Sequence, residues 1–349
     1  MATTTATATA SSSSAQSQLV NPIHPDFHGY LDPDFIEYYN TRLATRPATH
    51  QAPVDFAHIR AHPEEFRPHW CRDYSDRPRV KTVEIASGDG FIFQLRVYSP
   101  DPEVFGPGPY AVHVNYHGGG FCFGDLTEDA EYCMTVCERV GIVVVDVDYR
   151  LCPEHKFGKG TEDGWAALNW VHTHSTQINT RSDSISIGGV SAGGFMACIY
   201  QHMARDAGLD LRLAVLCVPT VQDRTPFRRP EDAGFPSYVE NALAPCLNWT
   251  RLTFLKDVVG DRSRVPSLWN EPLHAPDFTG ICDSFIATAG ADPVRDEGEA
   301  YGMRLVGGGC KVTFRRYTGV PHIFQHMAEL AKTKLYVDDT CAALKNAHA

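Results

Sequence analysis

No run of apolar residues in this 349-residue chain approaches the length of a membrane-spanning helix, so stable membrane insertion is not expected. Positive charge is scarce. Thirty-one Lys and Arg face 42 Asp and Glu, for a formal net charge of −11, which disfavours nucleic acid or an anionic membrane surface as a partner. The first residues, MATTTATATASSSSAQSQ, contain neither a basic residue nor an apolar stretch. They lack the marks of a secretory signal or a mitochondrial transit peptide, and residues 1–20 read as a disordered tail on a cytoplasmic protein. The eleven cysteines include no CxxC pair. Cys133 and Cys137 lie one helical turn apart, but no His joins them at zinc-ligand spacing. Free buried thiols are expected, with no disulfide framework, no metal and no cofactor.

Hydrophobic residues make up 43% of the chain, enough for a sizeable core. DPDFIEYYNTRL carries Phe35, Tyr38, Tyr39 and Leu43 at helical spacing, with Asp32 or Asp34 as the cap. From Val80, KTVEIASGDGFIFQLRVYS alternates on both sides of GDG, a hairpin pattern. Strand and helix patterns then take turns. YAVHVNYH, GIVVVDVDY, SISIGG, LRLAVLCVP, CDSFIATAG and CKVTFRRYT read as strands. DAEYCMTVCERV, TEDGWAALNWVHTH, AGGFMACIYQHMARDAG and HMAELAKTKLYVDDTCAALKNA read as helices. This alternation predicts an α/β fold with a mostly parallel sheet covered on both faces. From about Thr220 to Asp261 the rhythm stops. That irregular, aromatic-rich stretch reads as a lid or binding segment.

One serine stands out. Ser191 has Gly189 two residues before it and Gly193 two residues after it, at the join between a buried strand and a helix. A tight turn there would hold the serine in a strained backbone conformation, with its oxygen out of the sheet. The helix N-terminus would add a positive field beneath a developing oxyanion. A glycine-rich turn that merely contains a serine is the plainer alternative.

Three further elements suit acyl transfer. In VNYHGGGFCFGD, consecutive glycines follow a strand and leave backbone N–H groups free to converge. Gly118 and Gly119 are the leading oxyanion donors, with Gly120 and Ala192 beside them. No Lys-Ser/Thr follows, which excludes a P-loop. His117 reads as a structural residue holding this loop. In IATAGADPVRDEGEAY, Asp292 follows a strand end, where a carboxylate can orient a histidine. Asp296, Glu297 and Glu299 fit the first turn of a helix instead. In YTGVPHIFQHM, His322 is presented on a loop, whereas His326 reads as a helix residue. Ser, then Asp, then His is the chain order of α/β-hydrolases.

The segments HGGGFCFGD, DVDYRLCPEH, TEDGWAALNWV, GGVSAGG, DPVRDEGEAY and GVPHIF occur in family order over residues from about 80 to 340. With them the chain resembles the hormone-sensitive-lipase-like, or family IV, carboxylesterases. PSYVENALAPCLNWT also resembles that family's cap. The resemblance implies an α/β-hydrolase fold with a helical cap, a Ser191–Asp292–His322 triad and hydrolysis of carboxylic esters. It implies an N-terminal cap segment at 21–75, core at 76–219 and 266–349, and a cap insertion at 220–265. Two departures leave the subfamily open. Val190 precedes the serine where the family usually has Asp or Thr, and LCPEHKFGKG replaces the usual Ala-Pro-Glu-His-Pro-Phe-Pro-Ala. The expected partner is a small to medium apolar ester, and a homodimer is compatible with the sequence. Acyl transfer, lactone hydrolysis, or the eliminations and cyclisations of plant relatives would use the same pocket. A non-catalytic receptor, as among plant gibberellin receptors, has its triad broken at the histidine, which is present here.

A further expectation concerns the cover of the site. Phe27, Tyr30, Phe35 and Tyr38 are expected to meet Phe235, Tyr238, Trp249 and Phe254 over its mouth.

Overall fold

The computed structural model describes residues 19–46 and 54–349. Most of the expected disordered tail, residues 1–18, lies outside the described residues.

Eight strands form one sheet: β1 (Val80–Ala86), β2 (Ile92–Tyr98), β3 (Tyr110–Tyr116), β4 (Val143–Val147), β5 (Thr180–Val190), β6 (Leu211–Cys217), β7 (Ser284–Ala291) and β8 (Val312–Pro321). Their spatial order is β1-β2-β4-β3-β5-β6-β7-β8. The GDG turn closes the β1–β2 hairpin, β2 pairs antiparallel with β4, and every other pairing is parallel. The chain winds outward from β3 to β4, then crosses back to β5. The switch point of the sheet therefore lies between β3 and β5, where an open α/β sheet offers a crevice at its strand ends.

The central strands are apolar on both sides because both sides are covered. Val143, Val145 and Val147 face one core, with helices Lys159–Thr173, Ala192–Ala207 and Arg295–Gly307. Val144 faces the other, with helices Ala130–Val140 and Ala331–His348. The last helix starts later than its sequence pattern suggested. Residues Phe324–His326 form a 3-10 turn, and the helix begins at Ala331.

A helical cap interrupts the alternation after β6. Helices Pro236–Glu240 and Trp249–Val259 share a small core with Ala233, Leu247 and Val294. The expected common aromatic cover does not form as proposed. Tyr238, with Phe235 and Trp249 packed on it, belongs to this cap core, whereas Phe27, Phe35 and Tyr38 join the sheet and the C-terminal helix. The amphipathic helix Pro33–Arg42 has a better apolar partner there. Its entry is pinned by Asp32 N–H donating to Gly319 O (2.8 Å), and Asp34 accepts from the Ala331 N–H (3.1 Å). Contact between the N-terminal region and the insertion runs instead through Ala244 and Cys246, which pack in the same core as Tyr39.

Further along, residues 54–70 strap the glycine loop after β3. Phe56 packs on Phe123 with ring centroids 5.4 Å apart. Arg60 donates to Cys122 O (2.7 Å) and Cys152 O (3.3 Å). All eleven cysteines are free, eight of them buried.

Candidate active site

Ser191 sits between β5 and helix Ala192–Ala207 with φ 56° and ψ −111°, a left-handed conformation that costs a non-glycine residue of order 1–3 kcal/mol. The surrounding structure fixes it there. Its N–H donates to Cys217 O on β6, and its carbonyl accepts from the Phe195 N–H, both at 2.9 Å. The flanking glycines are forced by close approach. A Cβ on Gly189 would stand 2.4 Å from Tyr116 O, and one on Gly188 would stand 2.7 Å from Val215 O. Strand and helix can meet this tightly only without those side chains.

The serine is met by the histidine expected from the sequence. His322 follows β8, and its Nε2 lies 2.8 Å from Ser191 Oγ. Its Nδ1 lies 2.7 Å from Asp292 Oδ2, just past β7. With Nδ1–H donating to the carboxylate, Nε2 is left to accept the serine proton. Asp292 is fully buried and His322 nearly so. The carboxylate is held in turn. Oδ1 accepts from the Val294 N–H (3.0 Å), and Asn241 of the cap donates to the Asp292 carbonyl (3.1 Å).

The competing acids lie elsewhere. Asp296 accepts from the Ser237 N–H and from Arg295. Glu299 accepts from Thr288 and Arg316. Glu297 is buried against Arg224 and Tyr238 (3.1 and 2.6 Å), and burial pushes its carboxyl above the usual range despite the arginine.

His326 is not idle, although it does not reach the serine. Its Nε2 lies 2.6 Å from Asp129 Oδ1, and its ring stacks on Trp70. Burial alone would lower its pKa. The Asp129 carboxylate overrides that and raises it.

The glycine loop borders the serine. A Cβ on Gly118 would lie 3.7 Å from Ser191 Cβ. Gly119 and Gly120 have φ of 108° and 63°, and a Cβ on Gly119 would strike Phe123 O at 2.1 Å. Among the described residues, no hydrogen bond occupies the N–H of Gly118, Gly119 or Gly120. His117 holds the loop from behind. Its Nδ1 donates to Gly118 O (2.8 Å), and its ring stacks on Tyr149, whose hydroxyl donates to His117 O (2.8 Å).

Gly120 and Ala192 line a narrow cavity with Ser191, walled by Leu247, Leu252 and Leu255 and leaving only about 30 Å³ of free space. Arg224, Lys256 and Arg262 also reach its wall. These cations were not singled out from the sequence. The one available signal was a cluster of basic residues at both ends of an otherwise aromatic insertion. A larger cavity of about 300 Å³, bordered by Trp70, Tyr132 and His326, does not include Ser191 in its lining.

The alpha/beta hydrolase fold family matches residues 113–326, from within β3 to the turn beyond His322. This chain is an α/β-hydrolase of the hormone-sensitive-lipase-like esterase family. The hydrolase is similar to the carboxylesterase NlhH of Mycobacterium tuberculosis, with 33% identity over 260 residues, 72% of this chain and 77% of that one. It is 26% identical to an AB hydrolase superfamily protein of Schizosaccharomyces pombe over 95% of this chain and 98% of the relative. An esterase structure from Pyrobaculum calidifontis superposes with a TM-score of 0.78 at 28% identity, covering 91% of this chain and all of the other. Among the described residues of this hydrolase, no helix is long and apolar enough to cross a membrane.

Proposed function

We propose that this α/β-hydrolase cleaves carboxylic esters of small to medium apolar substrates, with Ser191 as nucleophile, His322 as general base and Asp292 as its orienting carboxylate. The reading rests on one observation above all: a strained serine joined to a buried aspartate through both nitrogens of one histidine, at 2.8 and 2.7 Å. His322 takes the Ser191 proton as Oγ attacks the ester carbonyl, and the tetrahedral oxyanion forms beside the N–H groups of Gly118, Gly119, Gly120 and Ala192. The imidazolium, stabilised by Asp292, protonates the departing alcohol. Water, deprotonated by His322, then attacks the acyl-enzyme and releases the acid. In this reading residues 220–265, with 21–75, form the cap over a core of 76–219 and 266–349. The esterase names of the relatives support the chemistry, and the leucines around Ser191 support an apolar substrate body.

The test is hydrolysis of p-nitrophenyl acetate by the wild type and by Ser191→Ala. Loss of the nucleophile is expected to lower kcat by roughly 10⁴- to 10⁶-fold. Near-normal turnover by a folded Ser191→Ala protein overturns the assignment.

A further inference from the structure

The cavity at Ser191 has three cations and no carboxylate in its lining. Two are already answered. Arg224 donates to Glu297 Oε1 at 3.1 Å. Lys256 donates to Phe227 O at 3.4 Å and lies 3.9 Å from Asp257. Arg262 differs. It is only 9% exposed, and its Nε is buried without a hydrogen-bond partner. No carboxylate among the described residues pairs with it, and the adjacent Asp261 faces Arg264 instead. Its guanidinium lies over Phe157, 4.4 Å from the ring centroid. A ring face attracts the charge but accepts few of its five N–H groups.

Burial, and then the like charge of Arg224, pull the Arg262 pKa down to about 10. It therefore remains a cation at neutral pH. An unpaired buried cation is costly to keep, and a fork of donors in a narrow cavity matches a carboxylate. The molecule as a whole is acidic, so general attraction for anions does not account for this local charge. The leucines of the same lining suit an apolar connecting chain.

We infer that Arg262 is a specificity-determining residue, pairing with a free carboxylate on the ester substrate. The preferred substrates are then short esters with an apolar body and a carboxylate end. The inference rests on the reading of Ser191 as an esterase nucleophile.

Two substrate pairs test it at constant ionic strength. p-Nitrophenyl butyrate against mono-p-nitrophenyl glutarate places the charge on the acyl side. Phenyl acetate against 4-acetoxybenzoate places it on the alcohol side. The wild type is expected to prefer the carboxylate member of at least one pair. In Arg262→Leu the ratio of kcat/KM, charged over neutral, is expected to fall on the order of 10- to 100-fold, chiefly through KM, with part of the ratio restored in Arg262→Lys. A wild type without carboxylate preference in either pair overturns the inference. So does an Arg262→Leu protein that loses both members of a pair equally, as a purely structural arginine would. If folded wild type cleaves none of the four esters, the esterase reading itself fails and this inference falls with it.

Discussion

Gly193 lies so close to Tyr116 that a Cβ at position 193 would stand 1.8 Å from the tyrosine carbonyl oxygen. Both partners are backbone, so neither can rotate away. Gly193→Ala must push helix Ala192–Ala207 off β3 and move Ser191 with it. The strain is expected to cost about 1–3 kcal/mol or more, and the displacement to lower kcat on the order of 10²-fold. Thermal melting and ester turnover of the purified variant check both effects. An alanine enzyme with wild-type activity would contradict this account of the turn.

Leu255 limits the cavity from the cap side. A Cβ on Gly120 would lie 2.7 Å from its Cδ1. Leu255→Ala is expected to enlarge the free space and shift the preferred acyl chain to longer esters. The ratio of kcat/KM for p-nitrophenyl octanoate to that for acetate should rise about tenfold, the scale of one or two buried methylenes. An unchanged chain-length profile would place the acyl group elsewhere.

His322 and His326 make opposite predictions. His322→Ala should lower kcat by at least roughly 10³-fold, because it acts on the reacting proton. His326→Ala should retain far more activity but lose about 3–5 kcal/mol of stability, because it leaves buried Asp129 without the imidazole that faces it. Paired denaturant titrations and kinetics separate the two, and a dead but stable His326→Ala protein would reverse the assignment.

Asp146 on β4 is fully buried, and burial with the nearby charge of Asp129 raises its pKa to about 7. Its Oδ1 accepts from Asn115 (2.9 Å), while Oδ2 has no partner. In the unfolded chain it titrates near 3.8, so folding takes up a proton between those values. Its favourable contribution is complete below about 3.8 and is lost as pH rises toward 7. Asp146→Asn removes this dependence. Its stability relative to wild type should increase from pH 4 to pH 7 by on the order of 1 kcal/mol per pH unit, then level off. A parallel pair of stability–pH curves would refute it.

Much of the site was legible because its signals are local. Gly189 and Gly193 flank Ser191 where an apolar strand pattern turns helical, and that spacing is a direct demand of the close approach to Tyr116 O. Asp292 and His322 each follow a strand, and the parallel sheet brings both strand ends to the same edge. The remainder depends on distant partners. His326 pairs with Asp129 across 197 positions, which no helical periodicity encodes. Phe35 and Tyr38 carried a correct helical stripe, but a stripe does not say which apolar surface it will cover. Arg262 sat among charged residues in an irregular stretch, where only the fold distinguishes a solvated arginine from a buried one.

The eleven unpaired cysteines also have a practical consequence. No thiol is hydrogen-bonded to Ser191, Asp292 or His322 among the described residues, and burial pushes thiols such as Cys152 and Cys137 up to about 11 and 12. Thiolate at neutral pH is therefore scarce in the folded protein. Apart from partly exposed Cys71, Cys246 and Cys282, these sulfurs meet a reagent only when the packing over them opens. An alkylating dye would thus act as an internal clock for opening of the core, reading how often it is uncovered without any cysteine being added to the chain.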